Sequence, residues 1–449
     1  MDSLFIEFSW RDIHQDSSGD ILWHHGSIRS DQIRRETVMF RRNFLKASAF
    51  FGVGLLASDG VLGAATKAQE TAHPGALPPP VPAPVSPQPP PVAAAFPPEY
   101  GPASAKGRMA EIYQQARQVM YPICRVCPQC DGVACAGEFP GMGGLWSGAS
   151  FQNNFTDLRQ TRLKLRALNS VSDQDKKPDT STVIFGQKLA LPAIAAPIGG
   201  TGSNFRRLLP DPEYFDRIIG GCVDAGTLGA IGDGPADPWA EVQARYQVIK
   251  RYGGRAVAGI KPRPNANLLR VVRLAEEAGA CMITIDIDSG GRYQGNPRDV
   301  MVEPKSIAQL REIVRATRIP VVVKGIMTPE DAVWALESGA AGICVSNHGG
   351  RVLDHTPGTA AVLPAIAGAV KGRMVILVDG CVHYGDDVLK YVALGADAVM
   401  VGRHIIRAAF GGGRPGVALF MKTMRDELEA AMVVTGMPDV RSIDRKVLA

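Results

Sequence analysis

Two patterns alternate along the second half of the chain. Short runs rich in apolar and β-branched residues, at 191–197, 228–231, 256–260, 282–285, 321–323, 343–345, 375–378 and 398–401, read as strands buried on both faces. Between them lie longer segments that read as helices, near 212–224, 238–252, 268–277, 304–316, 329–337, 363–370 and 387–394. The helix at 329 is the best marked. Thr328 suits the N-cap, Pro329 the first helical position, Glu330 and Asp331 the first turn, and Gly339 the stop. Eight such strands, regularly interleaved with helices, predict an α/β fold closed into a (β/α)8 TIM barrel. The competing open doubly wound sheet lacks its signal, because no G-x-G-x-x-G opens a helix.

The first part of the chain is patterned differently. Residues 1–38 carry no sustained apolar period. Arg41 and Arg42, then Phe44-Leu45-Lys46, an apolar stretch at 47–57 and small residues near Ala65 resemble a twin-arginine export signal over 39–65. The apolar run is short for a membrane span. The expectation is therefore export to the periplasm, with Met39 as the true start and 1–38 a misassigned extension. A cytoplasmic protein with an amphipathic leader is the alternative. A proline-dense linker follows over 66–105, and such a stretch stays extended rather than helical. Residues 106–177 form a Cys-rich segment that opens with a short helix at 109–120, and 178–449 is left for the barrel.

Composition narrows the function classes. The chain has 449 residues, 45% of them hydrophobic, which suffices for one large core. A net charge of +5, scattered rather than striped, gives no case for a nucleic-acid partner. Of eight cysteines, Cys222, Cys281, Cys344 and Cys381 fall in barrel-type segments and read as small core residues. The other four are bunched as C-x2-C-x2-C-x4-C: Cys124, Cys127, Cys130 and Cys135. Thiolates this close suit one soft metal centre. The first three match the ferredoxin run that holds [4Fe-4S], but the fourth comes one residue late and has no proline after it. Zinc is the competing ion, and disulfides or free thiols are the bland alternative. Export of a folded protein suits one that must acquire cofactors first. The glycine-rich 137–148 is expected to be a loop over the barrel mouth.

The chemistry concentrates in SNHGGRVLD, 346–354, just past a strand's C-terminal end, where barrels of this kind keep their active sites. His348 can move a proton near neutral pH, and Arg351 can fork onto a carboxylate. Together they point to proton abstraction from a carboxylate-bearing substrate. With Pro357, the following LPAI, VDGCVH at 378–383 and LGADAVMVGR at 394–403, the chain from about residue 178 resembles the FMN-dependent α-hydroxy acid oxidases and dehydrogenases. That family includes glycolate oxidase, lactate oxidase and mandelate dehydrogenase.

The resemblance implies roles. Backbone groups at Pro197, Ile198 and Gly199 would touch the flavin ring, and Lys324 would stabilise its reduced, anionic form. Thr284 and Asp286 match T-x-D, whose aspartate orients the catalytic histidine, so Asp286 is assigned to His348, with Asp288 as competitor. Ser346 belongs to the cofactor site; Asp379 and Gly380 would lie along the ribityl chain, and Gly402 and Arg403 at the phosphate. Arg351 would hold the substrate carboxylate, helped by Arg292. Three positions depart from the family. Lys261-Pro262-Arg263 stands where Gln-x-Tyr is usual, so Lys261 would sit by the flavin and Arg263 at the mouth. His383 replaces the arginine of DGG-x-R, and Gly232 a serine. The implied activity is oxidation of a 2-hydroxy acid to the 2-oxo acid, with electrons passing to a quinone or carrier protein, through an iron–sulfur centre if the cysteines hold one, and dioxygen a secondary acceptor. A homo-oligomer is expected. The rivals are an FMN-dependent isomerase of the type 2 isopentenyl diphosphate kind and a non-catalytic flavin and metal electron-transfer protein.

Overall fold

The computed structural model describes residues 12–15, 21–24, 105–169, 171, 177–291 and 302–449. The expected export signal, most of the proline-rich linker and Arg292 lie outside them. The chain divides into two units, Met1–Ala83 and Pro84–Ala449. In the first, β1 (Asp12–Gln15) and β2 (Ile21–His24) form an antiparallel hairpin in which Ile13 faces Trp23.

The second unit begins with α1 (Ala105–Met120), the cysteine-bearing loop and α2 (Ala149–Gln160). A small hairpin, β3 (Thr182–Ile184) and β4 (Gln187–Leu189), precedes the barrel. The barrel strands are β5 (Ala193–Ala195), β6 (Gly229–Ile231), β7 (Ala256–Ile260), β8 (Met282–Asp286), β9 (Val321–Ile326), β10 (Gly342–Val345), β11 (Val375–Val378) and β12 (Ala398–Val401). All are parallel, in the order β5-β12-β11-β10-β9-β8-β7-β6. The Ala195 N–H donates to the Leu228 carbonyl at 3.0 Å, just before β6, and brings the two ends of the sheet together. Nearly every strand residue is buried, because helices cover the outside and side chains fill the inside. Each fully buried Val, Ile or Leu contributes about 1.5–3 kcal/mol, so these runs define the core.

The helices between strands are α3 (Thr201–Asn204), α4 (Asp211–Asp224), α5 (Trp239–Arg251), α6 (Asn265–Ala278), α7 (Ile307–Arg315), α8 (Pro329–Glu337), α9 (Thr359–Val370) and α10 (Gly385–Leu394). The start of α8 is as the sequence implies: the Asp331 N–H donates to Thr328 Oγ1 at 3.1 Å. A last element, α11 (Arg403–Thr435), is broken at Gly413, whose φ of 58° and ψ of −153° leave the helix. Before that break α11 packs on α1. A side chain at Gly411 would put its Cβ 2.0 Å from the Ile112 carbonyl, so only glycine lets the helices meet there. This contact fixes the cysteine-bearing loop beside the barrel's C-terminal face.

The element α2 was not legible in the sequence, yet it buttresses the mouth. Phe151 and Leu158 are buried, and the Asn154 amide donates to Asn347 Oδ1 at 2.6 Å. The glycine-rich loop ahead of it reaches the same face, where Leu145 N–H donates to the Gly350 carbonyl at 2.8 Å and Ser147 Oγ to Asp354 at 2.6 Å.

Candidate active site

A cavity of about 410 Å³ opens at the C-terminal ends of the strands, within the size range of cofactor sites. Its floor and walls include Pro197, Ile198, Gly199, Lys261, Asp286, Lys324, His348, Arg351, Asp379, Gly380, His383, Gly402 and Arg403. These residues are distant in sequence, and the barrel brings them together because they lie at or just past the ends of seven of its strands.

His348 sits on a backbone of unusual shape. Its φ is 58°, and Gly349 and Gly350 follow at 63° and 75°. A histidine held in the left-handed region marks a functional constraint. Its N–H donates to Ser346 Oγ at 3.0 Å. The ring Nδ1 lies 3.1 Å from both oxygens of Asp288. Lys261 Nζ lies 3.2 Å from Nε2 and donates to Asp286 Oδ2 at 2.8 Å. A carboxylate at Nδ1 and an ammonium at Nε2 assign the proton to Nδ1 and the lone pair to Nε2. Burial, reinforced by the Lys261 and Lys324 cations, holds the His348 pKa well below its ordinary value, with Asp286 opposing. The ring is thus a neutral base aimed into the cavity.

The partner expected for His348 was Asp286; the structure gives it Asp288 instead. After β8 the chain turns into a 3-10 segment, Ile287–Gly291, closed by Ser289 Oγ donating to the Asp286 carbonyl at 2.8 Å. The turn swings Asp288 towards the ring. Gly325 makes room, since a Cβ there would stand 2.5 Å from the Asp288 side chain. Asp286 holds Lys261. Burial pushes its carboxyl up, but the Lys261 and Lys324 ammonium groups outweigh that and the net shift is down.

A second network lies deeper. Lys324 Nζ donates to Ser346 Oγ at 2.8 Å, and Ser346 Oγ donates to Asp379 Oδ2 at 2.8 Å. Lys324 and Asp379 also pair directly at 3.3 Å. Burial would lower the Lys324 pKa, but Asp379 and Asp286 raise it above its ordinary value and keep the cation charged. Asp379 Oδ1, Asp286 Oδ1 and Thr284 Oγ1 are buried and have no protein partner. Buried polar atoms need partners, so these three call for a polar ligand beside them.

The arginines divide. Arg351 lines the cavity with its guanidinium 4.6 Å over the Phe139 ring. It donates to the Gly141 and Gly143 carbonyls at 2.7 and 2.9 Å and to Asn204 Oδ1 at 2.8 Å, which draws the glycine-rich loop over the mouth. Arg403 opens α11, donates to the Met142 and Gly349 carbonyls at 2.9 and 3.0 Å, and stacks 3.6 Å over Phe151. Arg263, expected at the substrate, is turned away from it. It is buried, donating to Asp233 Oδ1 at 2.8 Å and the Gly234 carbonyl at 3.2 Å. A buried cation takes a buried carboxylate as partner, and Arg263 thereby holds Asp233, which accepts the Lys261 N–H at 2.9 Å.

At the far end of the cavity His383 and His404 meet with ring centroids 4.3 Å apart. Burial, with Arg159, Arg407 and Arg403 around it, pulls the His383 pKa down to about 3. A neutral His383 cannot supply the charge of the arginine it replaces, but those guanidinium groups and the N-terminus of α11 keep this end attractive to an anion. The sequence reading missed Arg159, Asp233, Asn204 and His404, which carry no motif of their own.

These residues suit FMN. The loop at 197–199 just past β5, an enclosed ammonium, unpartnered oxygens on Asp379 and Thr284, and a cationic helix N-terminus match a flat ring, a polyhydroxyl chain and a phosphate in turn. The residues fit. The four clustered cysteines lie beside this cavity; each carries a free thiol. All four line a smaller adjoining cavity with Arg403 and Arg407.

Comparison with known proteins agrees. The model of the FMN-dependent dehydrogenase family matches residues 142–293 and 296–449. A peroxisomal (S)-2-hydroxyacid oxidase of Arabidopsis thaliana is 30% identical over 345 residues, covering 68% of this chain and 89% of its own. An L-lactate dehydrogenase of Xanthomonas campestris is 31% identical over 361 residues, covering 68% and 91%. The crystal structure of a mandelate oxidase with (S)-2-phenylpropionate matches with a TM-score of 0.61 at 30% identity, covering 76% of this chain and 97% of that one. With most of its length matched and the cavity suited to the cofactor, the chain belongs to the FMN-dependent dehydrogenase family.

Proposed function

We propose that this protein oxidises a 2-hydroxy acid to the 2-oxo acid at the cavity around His348. The observation that carries the reading is the neutral imidazole, buttressed by Asp288 at Nδ1 and presenting Nε2 to the cavity. Bound FMN supplies an acceptor for the hydride. His348 Nε2 takes the hydroxyl proton once the Lys261 ammonium swings from it onto Asp286, which already holds that ammonium. Asp288 then stabilises the imidazolium. Arg351, which lines the cavity three residues after His348, would hold the substrate carboxylate by exchanging part of its present hydrogen bonding. Lys324 keeps a positive charge in the floor, where negative charge develops on the reduced cofactor. Asp379, Ser346 and Thr284 would orient the cofactor, and Gly402 with Arg403 would receive its phosphate.

Electrons leave to a quinone or carrier protein, with dioxygen secondary. The four cysteines hold a metal centre, iron–sulfur or zinc. Export follows the twin-arginine route, and the folded protein forms a homo-oligomer. Anaerobic addition of a panel of 2-hydroxy acids to the yellow protein tests the main claim. Bleaching of the visible flavin absorption is the expected result. Flavin that no hydroxy acid bleaches would favour the isomerase or electron-transfer reading.

A further inference from the structure

We infer that Cys124, Cys127, Cys130 and Cys135 bind a polynuclear iron–sulfur cluster, and that it carries electrons singly out of the adjoining FMN cavity. The inference rests on the proposed function for its electron source, but the metal site stands on the residues themselves. These cysteines precede residue 142, where the family match begins, so the family's own features do not account for them.

Arg407 is the first observation. It is buried, and its Nη2 donates to Cys130 Sγ at 3.0 Å and Cys124 Sγ at 3.6 Å, while its Nε has no protein partner. Among the described residues, none of its hydrogen bonds goes to a carboxylate. A guanidinium taken out of water needs an anion, and here sulfur is what it meets. A tetrathiolate metal centre carries the net negative charge that answers it. Val126 N–H adds a further donor to Cys124 Sγ at 3.4 Å. Donors aimed at ligand sulfurs stabilise the charge on a cluster and tune its potential.

Spacing is the second. A single zinc ion with bonds of about 2.3 Å draws four sulfurs to within about 4 Å of one another. Among the described residues, the set of donors that lie within 4.8 Å of one another is Cys130 with His383 and His404, and no three of the four thiols are so close. Yet all four face one cavity. That spacing is wider than one ion allows, so a multi-iron core, whose ligand sulfurs stand farther apart, matches the four thiols better.

Position is the third. Cys130, Met142, Phe151 and Arg403 line both the cysteine cavity and the FMN cavity. A cluster bound there would touch the wall of the flavin site, and its other side faces outward, where Cys127 and Cys135 are only partly buried. The electron balance is simple. A 2-hydroxy acid becomes a 2-oxo acid by losing two electrons and two protons. The protons go to solvent. The electrons cross the cluster one after the other, onto two equivalents of a one-electron acceptor such as a ferric haem protein.

The test uses the full chain, purified anaerobically with its cofactors. Iron and acid-labile sulfide are measured, and a low-temperature paramagnetic resonance spectrum is recorded after dithionite reduction. About four iron and four sulfide per chain, as for a Cys-ligated cubane, and a new signal are expected. Cys127→Ser, which alters a residue of the cysteine cavity that is not in the flavin cavity, should lose iron and sulfide. It should keep FMN and still bleach with a 2-hydroxy acid. Its reduction of ferric cytochrome c should fall at least about tenfold, the scale of losing a tuned metal site. Zinc without sulfide, at the thiols or at Cys130, His383 and His404, would overturn the inference. So would metal-free thiols, or a variant that reduces cytochrome c at the parent rate. Failure of bleaching in both proteins, with iron and sulfide present in the parent and lost in the variant, would instead refute the hydroxy-acid reading alone.

Discussion

Replacing Asp288 by Asn separates the dyad seen in the structure from the one the sequence implies. Both Asp288 oxygens stand 3.1 Å from His348 Nδ1. The carboxylate does two things there: it fixes the proton on Nδ1 and stabilises the positive ring that forms when Nε2 takes the substrate proton. Losing a charged hydrogen-bond partner costs about 1.5–3 kcal/mol. The amide can also donate to Nδ1, which moves the ring proton to Nε2 and removes the base; a wrong tautomer has cost a serine protease about 10⁴ in rate. The expected fall in the rate of flavin reduction is therefore about 10² to 10⁴, or about 2.7–5.5 kcal/mol. The assay is anaerobic stopped-flow at saturating 2-hydroxy acid, with FMN content matched to the parent. Asp286→Asn is the comparison. It weakens the hold that draws Lys261 off Nε2, so it should slow flavin reduction too, but less than Asp288→Asn does. Reduction by Asp288→Asn at the parent rate, with Asp286→Asn crippled, would refute the assignment.

Further outcomes follow from other contacts. Burial and the Lys261 and Lys324 cations lower the His348 pKa, so the base stays neutral below the ordinary histidine value of about 6.5. The acid limb of kcat/KM should lie under that value, and Lys261→Met, which removes a cation, should move it upward in a pH–rate profile. By the same sign, the folded state prefers neutral His348. Its contribution to stability is full above about pH 6.5 and is lost as pH falls and the unfolded chain takes the proton. Arg245 is buried between Asp211 and Asp237, so Arg245→Met should cost about 3–5 kcal/mol in urea unfolding, leaving two carboxylates without their cation. Gly350→Ala would put a Cβ 2.4 Å from Phe151 N at a φ of 75°; a weakened hold on FMN with an unchanged far-ultraviolet dichroism spectrum is expected.

The barrel was legible because its physics is local. Strands buried on both faces must be apolar runs, and all eight expected from the sequence are present. The Thr328 cap reads directly from residue types. What escaped depends on contacts distant in sequence or on a change of backbone course. The i, i+2 rule placed Asp286 and Asp288 on the same side of an extended chain, but the 3-10 turn at Ile287–Gly291 ends that alternation. Arg263 looked available because its burying partner Asp233 sits thirty residues earlier, on another loop. The long α11 lay beyond the last helix read from the sequence, 387–394: its glycines at 411–413 are poor helix formers, and packing on α1 carries helix up to the break at Gly413. The fold-wide motif at 346–354 was enough to locate the cavity, while the wiring around His348 required three dimensions.

The central claim is that a 2-hydroxy acid gives its proton to His348 while its hydride reduces FMN. The direct measurement is the flavin spectrum of the purified protein and of His348→Gln, each mixed anaerobically with the same 2-hydroxy acid. The account expects the parent to bleach, and the variant to keep its yellow cofactor but reduce it at least about 10²-fold more slowly, the usual contribution of a general base. A variant that bleaches as fast as the parent would contradict it.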